Sequence, residues 1–178
     1  PEQFCVRMKE MLGEEYAAFY ASYDLPKYQA LRINPLKTER DTFLQQAPFY
    51  LNRVPWTTNG YYYSGNDQPG RHPYHEAGVY YIQEPSAMAP AEYLMAEPGE
   101  RILDLCAAPG GKSTQIACSM QGEGLIVCNE IHPARAKILS ENIERMGVCN
   151  ALVTNETPQK LSDNFREYFD RILVDAPC

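Results

Sequence analysis

No stretch of this chain approaches the roughly 18 consecutive apolar residues that a membrane-spanning helix needs, so no span is indicated. The opening residues, PEQFCVRMKEML, contain no secretory apolar run, and a cytoplasmic location is the expectation. The six cysteines, at 5, 106, 118, 128, 149 and 178, form no C-x-x-C pair. They read as free thiols of a reducing compartment, and Cys118 and Cys128 fall in apolar patterns that suit a core. His72, His75 and His132 have neither a thiolate cluster nor H-E-x-x-H spacing beside them, so no metal site is expected. Positive charge is also scarce. Sixteen Lys and Arg stand against 23 Asp and Glu, for a net charge of −7, and both halves of the chain share the deficit. That is not the footprint of a protein that grips nucleic acid by bulk charge, and it leaves only a local patch for such a role. Internal repeats and low-complexity segments are missing as well.

One stretch stands out, RILDLCAAPGGKSTQIACSMQG, from Arg101 to Gly122. A short apolar run ends at Asp104-Leu105, a small-residue turn follows, and Lys112-Ser113-Thr114 opens an amphipathic run. The pattern predicts strand, glycine turn and helix, the junction of an open parallel sheet where ligands bind. Gly110 and Gly111 let a ligand approach the backbone, and the free amides at the helix start favour an anionic group. A phosphate-binding P-loop needs G-x-x-x-x-G-K-[ST], and position 106 is Cys106. The dinucleotide fingerprint G-x-G-x-x-G also fails, because the two glycines are adjacent. The remaining reading is an S-adenosylmethionine loop. Glu130 supports it, since it follows the next apolar run by the interval at which an acid reaches a ribose.

Upstream, two helices are expected over 2–24, broken at Gly13, and a strand over 28–33. Thr38 is expected to cap a helix ending at Gln46, and Ser86 a helix ending at Ala96. Segments 50–54 and 61–64 are expected to pair, with a short helical turn after Pro73 and an apolar segment at 79–83. From Arg101, strands at 101–105, 124–129, 150–154 and 170–175 alternate with helices at 112–120, 133–146 and 158–168. Alternation of that kind predicts parallel strands with crossover helices. The division is therefore an α+β domain over 1–96 and an α/β domain over 97–178. Of 13 tyrosines, all but Tyr168 precede residue 97. They serve either as half-buried packing or as a surface for unstacked bases, with Arg32, Lys37, Arg40, Arg53, Arg71, His72 and His75 as the candidate cations.

LDLCAAPGGKSTQIA, the acid in NEIHPARAKILSENIERMG and the closing LVDAPC together resemble the Sun-type RNA cytosine-5 methyltransferases. LRINPLK and HPYHEAGVYYIQEPSAM resemble that family's N-terminal region, so the likeness runs along nearly the whole chain. The resemblance implies an α/β fold: a Rossmann-like S-adenosylmethionine-dependent methyltransferase sheet, truncated after its fourth strand and preceded by a small α+β domain. It implies that Cys106, Ala107, Ala108, Pro109, Gly110, Gly111 and Lys112 wrap the methionine end of the cofactor and that Glu130 holds the ribose. Asp175 would sit between cofactor and target base. The family's adenine-contacting aspartate falls by spacing on Thr157, with Asn155 or Glu156 as substitutes. Cys178 would match the cysteine that helps release product, the nucleophile lying in a later Thr-Cys motif. The implied partner is RNA, ribosomal or transfer, with no membrane and no metal. Four strands are fewer than the family's seven. The chain thus reads as an N-terminal portion, inactive alone, with an open strand edge along which copies could pair. A non-catalytic RNA-binding module of the same fold is the other reading, and a nucleotide-phosphate binder is the third.

Overall fold

The structure is a computed structural model that describes residues 1–176. It contains two four-stranded sheets. The first is antiparallel, in the order β2-β3-β1-β4, from β1 (Ala30–Ile33), β2 (Leu51–Arg53), β3 (Gly60–Tyr63) and β4 (Tyr80–Ile82). Its strands are short, and Leu31, Ile33, Tyr61 and Tyr80 gather with Phe43 into one core. Phe43 comes from α3 (Arg40–Gln46), while α4 (Pro73–Glu76) leads into β4. Ahead of this sheet, α1 (Glu2–Leu12) and α2 (Tyr16–Ala21) are separated at Gly13, and neither buries a residue.

The second sheet is parallel, in the order β7-β6-β5-β8, from β5 (Arg101–Asp104), β6 (Leu125–Asn129), β7 (Ala151–Thr154) and β8 (Arg171–Leu173). The connections are α6 (Gly111–Met120), α7 (Pro133–Met146) and α8 (Pro158–Asn164). Strand side chains alternate between faces. Ile102, Ile126 and Cys128 therefore meet Ile116 of α6 with Leu139 and Ile143 of α7. Leu103 and Val127 point the other way, onto Leu161 of α8. The order reverses between β6 and β8, so the carboxyl end of β5 faces an open crevice. This is the α/β Rossmann-like arrangement with a preceding α+β unit that the sequence predicts.

Four boundaries differ from expectation. Thr38 does not cap α3; Glu39 precedes the helix without a side-chain cap. Ser86 lies inside α5 (Pro85–Leu94), where its hydroxyl donates to the Glu84 carboxylate, and left-handed Met95 ends the helix early. α8 stops at Asn164, because Phe165 and Phe169 turn in to pack beside Leu103 and Val127. β8 ends at Leu173, whose carbonyl accepts the last rung from Leu105 N, and Val174 is already exposed.

Polar contacts join the two sheets. Asn34 Nδ2 donates to the carbonyls of Gly78 and Met146, both at 2.8 Å. Lys37 Nζ donates to the carbonyls of Ala77 and Arg145, and Arg145 Nη1 returns a bond to His75 O. α5 serves both sides, with Met88 beside Ala30 and Val54, and Ala91 in the core of the parallel sheet. Gly78 sits at the closest approach, with φ +67°. A Cβ there would overlap the Arg145 carbonyl. We expect Gly78→Ala to lower unfolding free energy by about 2–4 kcal/mol, combining backbone strain with overpacking. Urea unfolding measures it.

Candidate functional site

β5 ends at Asp104, and the chain must then turn sharply before α6. Ala107 N donates to Asn129 O at 2.8 Å and Gly110 N to Ala107 O at 2.8 Å, which tightens the turn against β6. Gly110 adopts φ +110°, and a Cβ there would stand 3.2 Å from Leu139 Cδ1. An L side chain is thus strained by conformation and would press on Leu139. The first amides of α6 have no partner within the helix and face outward from the turn.

Above the turn lies a cleft of about 450 Å³. Its lining includes Cys106, Ala107, Ala108, Pro109, Gly111 and Lys112, all expected from sequence, together with Asp175. Lys112 Nζ meets Asp175 Oδ2 at 2.6 Å across its mouth. The opposite wall comes from β4 and the segment that leads from it into α5: Tyr81, Gln83, Glu84 and Ala87. Pattern reading missed this wall, since nothing local in VYYIQEPSA marks a second side for a loop some 25 residues on.

Glu130 is only 2% exposed, at the carboxyl end of β6. Its Oε1 accepts from His132 N at 2.9 Å, and its Oε2 meets Arg135 Nη1 at 3.2 Å. Arg135 Nη2 also donates to Ala108 O at 2.8 Å, so one guanidinium ties the acid to the turn. Glu130 lines a smaller hollow of about 80 Å³ beside the cleft, with Cys106 and Arg135 lining both. Asn155 stands apart. Its amide donates to Glu130 O at 2.6 Å, and it lines neither cavity. Thr157 caps α8 through a bond from Lys160 N. Cys178 lies outside the described residues.

Asp104 is fully buried beneath the turn. Oδ2 accepts from Ser113 Oγ at 2.7 Å, while Oδ1 has no partner. Burial pushes its pKa up to about 6, against the pull of Ser113 and Lys112. An exposed aspartate titrates near ~3.9. The folded chain therefore keeps a proton that the unfolded chain releases, and this contribution is complete below about pH 4 and lost as pH rises to about 6. Asp104→Asn keeps an acceptor for Ser113 without the charge. It is expected to flatten that part of the stability profile and to gain about 1–3 kcal/mol at pH 7. Urea midpoints at acidic and neutral pH check the sign. The Cys106 thiol is pushed up by burial and then by the carboxylates of Asp104, Glu130 and Asp175, which keeps it protonated. Burial likewise raises Cys118, and takes Cys128 to about 12.

The candidate cations separate. Arg32 is 1% exposed and faces no nucleic acid. Its Nη2 donates to Gly111 O at 3.0 Å and Thr114 Oγ1 at 2.8 Å, and its Nε donates to Gln83 Oε1 at 3.0 Å. It holds the antiparallel sheet to the glycine turn. Lys37 spends its ammonium on the domain junction, and the ring of His72 accepts from Tyr74 N to start α4. Arg40, paired with Asp41, and Arg53 and Arg71 remain at the surface. Among the described residues no cluster of His, Cys, Asp and Glu could hold a metal ion, and no helix is long and apolar enough to cross a membrane.

Comparison with known proteins agrees with this layout. Residues 1–85 match the family described as the N-terminal domain of 16S rRNA methyltransferase RsmF. Residues 91–178 match the family described as 16S rRNA methyltransferase RsmB/F. The chain is 37% identical to ribosomal RNA small subunit methyltransferase F of Enterobacter sp. (strain 638), over all of this chain and 39% of that protein. It is 38% identical to the protein of the same name from Pectobacterium atrosepticum, again over all of this chain and 39% of the relative. A crystal structure of a methyltransferase homolog protein from Pyrococcus horikoshii superposes with TM-score 0.87 at 30% identity, covering all of this chain and 59% of that one. The chain thus spans about two-fifths of the length of these curated relatives. Two family matches meet at α5, one over each sheet, and the cleft between those sheets is built from both: the chain belongs to the RsmB/F family of 16S rRNA methyltransferases.

Proposed function

We propose that this chain is the cofactor-binding and RNA-facing portion of an S-adenosylmethionine-dependent RNA cytosine-5 methyltransferase acting on ribosomal RNA of the small subunit. The observation that carries the reading is a cleft that brings a glycine turn to the Lys112–Asp175 pair, with the buried acid at the end of the adjoining strand in a hollow beside it that shares Cys106 and Arg135. The residues present fit the cofactor. Asp104 Oδ1 is a buried acceptor without a partner beneath the turn, and its carboxylate puts negative charge under a site that would take a cationic ligand. The helix start suits a carboxylate. Glu130 offers the ribose hydroxyls a carboxylate already held in place by His132 N and Arg135. The cleft volume lies within the ~300–1,000 Å³ of small-molecule sites. When bound, the cofactor supplies an electrophilic methyl group on sulfonium sulfur.

The chain's own groups serve binding and proton placement. Asp175 is held by Lys112 at the mouth of the cleft, where a carboxyl group can bond the N3 edge of a cytosine and stabilise the charge that develops as a thiolate adds to C6. Burial and the neighbouring carboxylates push the Cys106 thiol of the turn up, which disfavours the thiolate that such a nucleophile needs. Amino-methylating enzymes carry an Asn/Asp-Pro-Pro-aromatic sequence, whereas Asp175 is followed here by Ala176-Pro177-Cys178, with no aromatic. That favours ring-carbon chemistry.

Calorimetric titration tests the reading. S-adenosylmethionine is expected to bind this chain at one site, and ATP not at all. Binding of ATP alone would overturn it in favour of a phosphate loop.

A further inference from the structure

Beyond the cleft, the surface of the first sheet carries a groove that the methyl-transfer reading does not use. A hollow of about 600 Å³ is lined by Lys27, Tyr28, Trp56, Tyr62 and the Glu84-Pro85-Ser86 start of α5. A second, of about 330 Å³, continues it past Lys27, Tyr28 and Tyr62. Glu84 lines both the first hollow and the cofactor cleft, so groove and cleft adjoin at this residue.

The rings are held open. Trp56 Nε1 donates to Pro85 O at 2.9 Å, which satisfies the polar edge of the indole and pins it at the start of α5. Trp56 nevertheless stays 40% exposed and Tyr28 78% exposed. Tyr28 and Tyr62 lie 5.6 Å apart at an interplanar angle of 53°, a tilted pair rather than a closed stack. Exposed aromatic faces with a lysine beside them suit a nucleobase and its phosphate.

We propose that this groove binds the nucleotide next to the target cytosine in a single-stranded stretch of RNA, its base stacked on Trp56 and Tyr28 and its phosphate beside Lys27. The proposal rests on the methyltransferase reading for the direction of the strand. A base drawn out of its stack to enter the cleft leaves a neighbour without a stacking partner. That neighbour emerges at Glu84, where the groove begins. Adjacency to the cleft at Glu84 and the flanking Lys27 favour RNA over a proline-rich peptide, the other ligand that aromatic grooves accept.

Trp56 is the sole tryptophan, so intrinsic fluorescence reports on this groove directly. A single-stranded RNA dodecamer with one central cytosine, titrated into the chain, is expected to quench that emission saturably, and the same sequence as a duplex is not. Tyr28→Ala removes a largely exposed ring and little packing, and is expected to weaken the RNA roughly 5- to 20-fold. Trp56→Ala, followed by anisotropy of labelled RNA, is expected to weaken it roughly 10- to 100-fold. S-adenosylmethionine affinity is measured in parallel and is expected to be unchanged in Tyr28→Ala. RNA binding that ignores both substitutions overturns the groove, as does quenching by a proline-rich peptide and not by RNA, or no RNA binding at all. Cofactor binding that persists in those cases leaves the methyltransferase reading standing. Tyr28-dependent RNA binding without cofactor binding would support the groove and remove the cofactor reading.

Discussion

Replacing Arg32 by methionine is expected to lower unfolding free energy by roughly 3–5 kcal/mol and to cost the cofactor site its shape. Arg32 is a buried guanidinium with no carboxylate against it, and burial lowers its pKa. It is kept by neutral acceptors: Gln83 Oε1, Gly111 O and Thr114 Oγ1. Methionine fills much of the volume but leaves those three oxygens without their donor, and a buried acceptor stripped of its partner costs about 1–3 kcal/mol. The Gly111 carbonyl belongs to the glycine turn, and Gln83 lines the cleft, so the loss reaches the site as well as the fold. Arg32→Lys is not expected to rescue either quantity, because an ammonium cannot span the fork of acceptors. Chemical unfolding and cofactor titration on the same preparations separate the two effects. Full stability in Arg32→Met would show that Asn34, Lys37, Arg145 and the packing of α5 join the sheets without it.

Glu130→Ala carries the other large effect, and it falls on affinity. Two charge-assisted hydrogen bonds to ribose hydroxyls, at about 1.5–3 kcal/mol each, correspond to roughly a hundredfold or more in dissociation constant. The variant also frees Arg135 from its carboxylate while its bond to Ala108 O remains. Stability should therefore change less than binding. Glu130→Gln separates shape from charge. It keeps an acceptor, and is expected to recover part of the affinity. A dissociation constant unchanged in Glu130→Ala would place the ligand's polar contacts elsewhere in the cleft.

Much of this was legible in the sequence because the signals are local. Ile102 to Asp104 must form a strand and Gly110-Gly111 must turn, and the spacing to Glu130 follows from one βα crossover. Alternation after residue 100 pointed to parallel strands with crossover helices, and the runs at 50–54 and 61–64 pointed to the pair that forms antiparallel over 51–53 and 60–63. What escaped depends on contacts between distant segments. Arg32 reads from sequence as a surface cation, and only the approach of Gln83 and Gly111 makes it a buried link. Phe165 fits a helix by propensity, and only the apolar face of Leu103 and Val127, which it helps to cover, turns it out of one. The bond from the Asn155 amide to the Glu130 carbonyl, which joins two strand ends, has no local signal either. The aromatic groove combines residues 27–28, 56, 62 and 84–86, four segments with no shared pattern.

The most direct test of the central claim is the map of backbone amide shifts when S-adenosylmethionine is added to isotope-labelled chain. The account predicts that the largest shifts fall on 106–112, on Glu130 and Ile131, and on Gln83 and Glu84 across the cleft, with α1 and α2 unmoved. Shifts confined to α1 and α2, or none at millimolar ligand, would contradict it and detach the glycine turn from cofactor binding.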